Sequence, residues 1–217
     1  MEAGIYRDRN EAGETLARAL RARAFTRPVV VALPRGGVPV ARAVARALHA
    51  PLDLILVRKI GVPGQPELAA GAIVDGPPEQ IFLNQPLMRN LGLSRADLAP
   101  VIAARRDELA ERRRDWLAGR TALDLAGRDA IVVDDGIATG ATMRAALMAL
   151  RERRPARIVL AVPVAAADTL DELRGLADEV VCPLVPADFR AVGLHYRDFA
   201  QVPSEAVRRA MQETEGD

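Results

Sequence analysis

The 217-residue sequence is poor in aromatic residues and cysteine and has no long apolar run, and each shortage excludes a class of protein. Its 30 basic side chains nearly balance 29 acidic ones and only 3% of residues are aromatic, so no nucleic-acid partner is expected. The single Cys182 cannot form an internal disulfide. The apolar runs fall short of the roughly 20 residues of a membrane span, and residues 1–20 are charged rather than signal-like. We therefore expect a cytoplasmic protein without a membrane partner.

Lysine is almost absent, although basic residues are plentiful. Of the 30 basic side chains, 29 are arginine and one, Lys59, is lysine. A lysine ammonium is a compact point charge, whereas an arginine guanidinium is planar and spreads its charge. A site that needs one compact charge can therefore require lysine and not tolerate arginine. The sequence therefore marks Lys59 as a candidate site residue, with the chance survival of one lysine as the alternative.

Strand and helix patterns alternate along most of the chain. The predicted strands are Val29–Leu33, Leu52–Val57, Leu68–Val74, Gln80–Leu83, Asp129–Val133, Arg157–Val162 and Glu179–Cys182. The predicted helices cover residues 10–24, 38–48, 94–119, 143–150 and 167–176. This order predicts one α/β domain with a doubly wound, mainly parallel sheet and a hairpin at the third and fourth strands. The charged helix at about 94–119 is predicted to be an insertion, and the tail 212–217 to be disordered.

The most informative segment is residues 130–142, where an apolar strand leads into a glycine-rich loop and a helix. The strand is followed by two adjacent acids, Asp134 and Asp135. After them come Gly136, Ile137, Ala138, Thr139, Gly140, Ala141 and Thr142. Free N–H groups at a helix N-terminus, threonine hydroxyls and glycines that admit close approach together predict a phosphate site. Because the acids would repel phosphate, we expect them to face sugar hydroxyls or a divalent cation.

This segment resembles the signature of type I phosphoribosyltransferases. In that family the acidic pair holds the ribose hydroxyls of phosphoribosyl pyrophosphate (PRPP), and the loop wraps the 5′-phosphate. The loop lacks the Gly-Lys-Ser/Thr ending of a P-loop, and no Gly-x-Gly-x-x-Gly opens the first strand. An ordinary strand-to-helix turn with an aspartate cap is the plain alternative.

The likeness extends over about residues 5–205. A little-characterised bacterial branch of the family is similar in its Pro-Arg-Gly-Gly, Arg-Lys-Ile-Gly-Val-Pro, Pro-Glu-Leu-Ala and Asp-Asp-Gly-Ile-Ala-Thr-Gly motifs. The resemblance implies a single domain over 1–217, with a core at about 26–90 and 121–183. It also implies a small hood at about 184–205 that is completed by N-terminal residues. The helical insertion at about 94–119 stands outside that core.

Two further loops complete the predicted site. Pro34, Arg35, Gly36 and Gly37 follow the first strand, where open backbone N–H groups and one guanidinium suit an anion. The resemblance makes them the pyrophosphate loop, which in the family often contains an unusual cis peptide. Arg58 and Lys59 stand where the family places a basic residue on the pyrophosphate. The predicted catalytic residues are Asp134, Asp135, Lys59 and Arg35, with Mg²⁺ as cofactor on Asp134 and Asp135.

The acceptor base is harder to predict. The oxopurine enzymes of the family have an aspartate two residues after the position of Gly136, and here that position is Ala138, which makes oxopurine salvage doubtful. The loop is more similar to the adenine type, although orotate-type loops also lack the acid. The residues 189–199 form a mixed cluster in which Tyr196 and Phe199 are candidate base contacts, with a packed structural corner as the alternative.

The leading hypothesis is therefore a Mg²⁺-dependent transferase that moves ribose 5-phosphate from PRPP to a nitrogenous base. A regulator that binds PRPP or a nucleotide without turnover is the main alternative, and a phosphoric-ester or pyrophosphate hydrolase is the third. A lid is expected at residues 61–66 or 94–119, without a choice between them. A homodimer is a mild expectation from the family.

Overall fold

The computed structural model describes residues 5–76 and 78–213. Its helices are α1 (Arg9–Arg21), α2 (Gly37–Leu48), α3 (Gln85–Leu91), α4 (Ala99–Leu117), α5 (Ala141–Glu152), α6 (Ala167–Leu173) and α7 (Ser204–Glu213). Its strands are β1 (Val29–Ala32), β2 (Leu52–Leu54), β3 (Val57–Val62), β4 (Gln65–Val74), β5 (Gln80–Leu83), β6 (Asp129–Val133), β7 (Arg157–Ala161) and β8 (Glu179–Val181). A 3₁₀ turn covers Val192–His195.

Five strands form the main sheet in the order β2-β1-β6-β7-β8, and each strand is parallel to its neighbours. Its central strands are continuous apolar runs because helices cover both faces of the sheet. From β1 the chain adds β2 on one side, and β6 then pairs with the other side of β1. The order therefore reverses between β1 and β6, which confirms the predicted doubly wound fold and defines its switch point.

The core lies on both faces of this sheet, and alternate strand residues face opposite sides. Val30 and Ile131 belong to the cluster under α1, α2 and α7, whereas Val31 and Val132 belong to the cluster under α5. All four side chains are at most 1% exposed. The two-residue period of the strands divides the apolar side chains between the two layers, so the sheet is held rigidly on both sides.

The predicted strand Leu52–Val57 is two strands in the structure. β2 ends at Leu54, and β3 begins at Val57 in a separate antiparallel sheet of the order β3-β4-β5. Ile55 and Leu56 link the two sheets and are fully buried, so the apolar run continues although the strand does not. The predicted hairpin is confirmed, because β4 and β5 pair with Ile73 opposite Ile81.

Helix α4 lies within the predicted insertion. Its buried side chains include Ile102, Leu109 and Trp116, which confirms the predicted stripe, and it packs on β3 and α7. Two helices that the sequence analysis did not assign, α3 and α7, complete the described chain. Gln212 and Glu213 close α7 rather than starting a disordered tail, and residues 214–217 lie outside the described residues. Within the described ranges, no helix has both the length and the apolar character that a membrane crossing requires.

Candidate functional site

Two loops meet at the switch point, beyond the carboxyl ends of β1 and β6. The backbone N–H of Leu33 donates to the carbonyl of Val133 at 2.9 Å, so the two strands stay paired up to the start of their loops. The loops that follow are Pro34–Gly37 and Asp134–Gly140. Loops at this position form the ligand crevice of doubly wound sheets, so the predicted site residues converge where a ligand site is expected.

The first loop lies directly against the two acids. A Cβ added to Gly36 would lie 2.1 Å from Asp135 Oδ2, and one added to Gly37 would lie 2.8 Å from the Asp134 Cα. Any other residue at these positions would displace the acids or separate the loops. The peptide bond between Pro34 and Arg35 is cis, as the family resemblance implies. The structure thus brings together the four residues Gly36, Gly37, Asp134 and Asp135.

The two carboxylates lie beside each other and are half-buried. Asp134 Oδ1 accepts the backbone N–H of Asp135 at 2.8 Å. Burial raises the pKa of Asp134 well above its usual value, and the negative charge of Asp135 adds to the shift. Burial also raises the pKa of Asp135, while the hydrogen bond and positive charge of Arg9 oppose that shift. Both acids therefore hold their negative charge at an electrostatic cost that a cation would reduce.

Arg9 supplies a cation that the sequence analysis missed. Its Nε donates to Asp135 Oδ2 at 2.8 Å, and the two side chains are only 11% and 13% exposed. Its Nη1 donates to the carbonyl of Ala200 at 2.8 Å, and its Cζ lies 3.9 Å from the centroid of the Phe199 ring. Arg9 is one of 29 arginines and stands 126 residues from Asp135, so no local pattern distinguishes it.

The residues 195–199 pack over the acids together with the N-terminal segment. Tyr6 pairs with Tyr196 in a short parallel bridge. The buried Tyr196 hydroxyl donates to the carbonyl of Asp135 at 2.5 Å, and its ring centroid lies 5.0 Å from that of Phe199. Burial raises the pKa of Tyr196. These contacts make Tyr196 a support for Asp135, and its predicted contact with a base stays a prediction, as does that of Phe199, which is 36% exposed.

The glycine-rich loop is held in place by backbone hydrogen bonds at Ile137, and most of the residues after it are exposed to solvent. The buried Ile137 donates its N–H to the carbonyl of Val164 at 3.0 Å, and its own carbonyl accepts the N–H of Ala166 at 3.2 Å. Gly140 has a φ of 68° and immediately precedes α5. The side chains that remain exposed are those of Ala138, Thr139, Ala141 and Thr142. The threonines therefore lie at a helix N-terminus where a phosphate can reach them.

The two predicted basic residues of β3 point to different neighbours, because successive strand side chains alternate between faces. Lys59 Nζ donates to the carbonyl of Glu67 at 3.1 Å and lines a groove of about 410 Å³ together with Thr139 and Thr142. Arg58 turns towards α4, where its Nε lies 3.4 Å from Glu108 Oε2. Its Nη2 is buried and has no partner among the described residues.

Arg35 lies in another cavity, of about 280 Å³, with residues of α4 and α7. The structure therefore does not place Arg35 and Lys59 in one cavity, although the sequence analysis assigned both to pyrophosphate. Lys59 shares its groove with Thr139 and Thr142 of the glycine-rich loop instead. Their common role on one pyrophosphate stays a prediction.

The acidic pair suits a magnesium ion that is shared with a ligand. Within residues 5–76 and 78–213, no group of three or more histidine, cysteine, aspartate or glutamate side chains could hold a metal. Mg²⁺ usually binds proteins through one or two carboxylates and completes its shell with water and substrate phosphate oxygens. Asp134 and Asp135 can provide such a partial shell, so the residues fit a magnesium ion that binds together with a phosphorylated substrate.

A half-buried acidic pair and a glycine-rich helix N-terminus at the switch point of a doubly wound sheet are typical of α/β proteins that bind a phosphorylated ligand. The family model of the phosphoribosyl transferase domain matches residues 5–198. The chain belongs to this family.

Individual relatives agree with this assignment. A Mycobacterium tuberculosis protein that is provisionally named a phosphoribosyl transferase is 45% identical over 203 residues, which are 94% of this chain. The chain spans only 45% of the length of that relative. The crystal structure of TT1426 from Thermus thermophilus is 43% identical, covers 96% of this chain and 98% of its own, and superposes with a TM-score of 0.84.

Proposed function

We propose that this protein transfers the ribose 5-phosphate of PRPP to a nitrogenous base, with Mg²⁺ and with release of pyrophosphate. The observation that carries the proposal is the close approach of Gly36 to Asp135 at the switch point, since these residues belong to the proposed pyrophosphate loop and the proposed metal-binding acid pair. A sugar substrate that carries phosphates and binds a metal ion can contact the loop with its phosphates and the acid pair with its metal ion. Membership of the phosphoribosyl transferase domain family supports the same chemistry.

In the proposed reaction, the bond between the ribose C1 and pyrophosphate breaks while a bond from C1 to the base nitrogen forms. The pyrophosphate departs with the bonding electrons, and the N–H proton of the base passes to solvent. Asp134 and Asp135 hold the ribose hydroxyls and offset the positive charge of the sugar. Arg35 and Lys59 offset the charge that grows on the leaving group. Mg²⁺, when bound, neutralises part of that charge as a Lewis acid.

Binding magnitudes explain why several loops must act together. Four charge-assisted hydrogen bonds from the loop Gly136–Thr142 to a phosphate would contribute about 6 to 12 kcal/mol, at about 1.5 to 3 kcal/mol each. Association alone costs about 4 kcal/mol or more. The phosphate loop by itself therefore binds weakly, and useful affinity needs the pyrophosphate loop and the metal as well.

The first experiment is a calorimetric titration of PRPP into the protein with and without Mg²⁺. We expect micromolar affinity that requires the metal. The variant with both Asp134→Asn and Asp135→Asn should lose the metal dependence, whereas the exposed Asp171→Asn should bind like the wild type. Equal affinity of the double variant and the wild type would show that the acids do not form the site.

A screen of nitrogenous bases then tests turnover. Pyrophosphate release that depends on a base supports the transferase, and release without a base identifies a hydrolase. Metal-dependent binding without release supports a regulator. A role in nucleotide salvage, a cytoplasmic location and a homodimer stay predictions.

A further inference from the structure

A second cavity, which contains two arginines, lies beside the loop Pro34–Gly37 and away from the glycine-rich loop Asp134–Gly140. Its volume is about 280 Å³. It is lined by Arg35, by Glu111, Arg112, Asp115 and Trp116 of α4, and by Ser204 at the start of α7. None of these α4 or α7 residues is part of the proposed transferase machinery, so the cavity needs an explanation of its own.

Two guanidinium groups in this cavity are left without a counter-charge. Among the described residues, neither Arg35 nor Arg112 has a hydrogen bond or an ion pair through its side chain. Burial lowers the pKa of Arg112, and the positive charge of Arg35 lowers it further. No carboxylate compensates these two effects, and arginine stays charged at every ordinary pH. The two like charges therefore repel each other across the cavity.

The acids that line the cavity do not neutralise this pair. Asp115 forms an ion pair with Arg208 of α7. Glu111 is exposed at the surface and is not among the groups that shift the pKa of Arg112. An anion that entered the cavity would meet Arg35 and Arg112 as its free charged partners.

Trp116 lies beside these arginines and carries an unpaired donor of its own. It is only 4% exposed, and its indole nitrogen Nε1 is buried without an acceptor in the part of the chain that the structure describes. Buried indole N–H groups usually have a partner. Arg112 stacks against the same ring, with its Cζ 5.3 Å from the centroid. Arg112 and the Trp116 ring thus share one wall of the cavity, whereas the unpaired Nε1 itself is buried and not open to it.

We propose that this cavity is a subsite for a phosphate-type oxyanion, held by Arg35 and Arg112 with the Ser204 hydroxyl as a further donor. Two sources can supply that group: the distal phosphate of the departing pyrophosphate, or a phosphate on a second small molecule. Only the first source rests on the proposed function. The oxyanion subsite itself does not depend on turnover.

The test uses Trp116 as its own reporter, because it is the single tryptophan of the chain. Inorganic phosphate and pyrophosphate are titrated separately into the full chain while tryptophan emission is recorded, and calorimetry follows the same titrations. We expect saturable binding with a change in emission. Arg112→Gln should weaken binding at least tenfold, and Arg112→Lys, which keeps a charge but loses the planar fork, should fall in between. Arg114→Gln, which removes an exposed charge from the same helix, is the matched control and should bind like the wild type.

Repeating the phosphate titration with saturating PRPP and Mg²⁺ identifies the source. If PRPP blocks the phosphate response, the subsite holds the pyrophosphate end. If phosphate still binds, the subsite serves a second molecule. If PRPP itself fails to bind while phosphate binds through Arg112, the proposed function fails and the subsite stands. Absence of saturable phosphate or pyrophosphate binding, or equal affinity of wild type, Arg112→Gln and Arg114→Gln, would overturn the proposal.

Discussion

The contact between Gly36 and Asp135 can be broken by one methyl group. Gly36 has φ −58° and ψ −40°, so alanine suits its backbone without strain. The added Cβ would lie 2.1 Å from Asp135 Oδ2, which is the same oxygen that Arg9 Nε holds at 2.8 Å. Gly36→Ala must therefore displace the carboxylate from its buried ion pair.

The magnitude follows from two opposing effects. Loss of the charge-assisted hydrogen bond costs about 1.5 to 3 kcal/mol. Replacing glycine by alanine at a compatible φ and ψ stabilises the folded protein by about 0.4 to 1 kcal/mol, because it lowers the conformational entropy of the unfolded chain. The net expectation is a destabilisation of about 0.5 to 2.5 kcal/mol. For a chain of this size, that lowers Tm by about 1 to 10 °C, at about 2 to 4 °C per kcal/mol.

Thermal and urea unfolding measure this change, and Gly175→Ala is the matched control. Gly175 has no atom within 4 Å of an added Cβ and does not adopt a positive φ, so its substitution should stay within about 0.5 kcal/mol of the wild type. Gly36→Ala should also weaken Mg²⁺-dependent PRPP binding, because the displaced carboxylate leaves the acid pair. A Gly36→Ala protein as stable as Gly175→Ala would refute the close approach of the two loops.

Three further predictions concern the same edge of the sheet. Burial raises the pKa of Asp134, so the folded protein keeps a proton that the unfolded chain has lost, and the free energy of unfolding falls as pH rises above the usual pKa of aspartate. Asp134→Asn should remove this fall in urea titrations at several pH values. A variant with the same pH dependence as the wild type would contradict the raised pKa. Arg9→Gln removes the cation that opposes the raised pKa of Asp135, so the acidic limb of Mg²⁺-dependent PRPP binding should move to higher pH, whereas the exposed Arg7→Gln should leave it in place. Gly140→Ala puts a Cβ at a φ of 68° and 2.6 Å from a neighbouring methyl group, so the affinity for ribose 5-phosphate should fall at least tenfold in calorimetry, and wild-type affinity would be evidence against the loop as the phosphate site.

The parts of the fold that could be predicted are those whose signal is local. The run Asp129–Val133 and its glycine-rich continuation are contiguous, so periodicity and turn chemistry predict the strand, the loop and the helix in order. The same holds for the hairpin of β4 and β5. The run Leu52–Val57 was predicted as one strand because all of it is buried and therefore apolar. The point where the chain leaves one sheet for the other depends on which strands pair in the folded protein, and the periodicity of the sequence does not show this.

The candidate site was predictable in the same sense. Residues that follow strands of a parallel sheet must meet at one edge, which is why Pro34–Gly37 and Asp134–Gly140 could be assigned together. The alternation along β3, which sends Arg58 towards α4 and Lys59 towards the phosphate loop, could also have been read from the strand period. Arg9 could not, because its partner comes from the packing of an N-terminal helix on the far end of the chain.

The charges of the free protein support the proposal that the ligand is a metal-bound polyphosphate rather than a simple anion. The half-buried Asp134 is costly to ionise beside Asp135, and Arg112 is costly to charge beside Arg35. The two pairs do not neutralise one another, because Asp135 faces Arg9 and the arginines line a separate cavity. A phosphate alone would stabilise the charges of the arginines but repel the acids. A magnesium ion alone would stabilise the acids but repel the arginines. If the Arg35 and Arg112 subsite takes the pyrophosphate end of PRPP, one ligand stabilises both pairs in one binding step. Metal and phosphate should then bind with positive coupling, each raising the affinity for the other by the same factor.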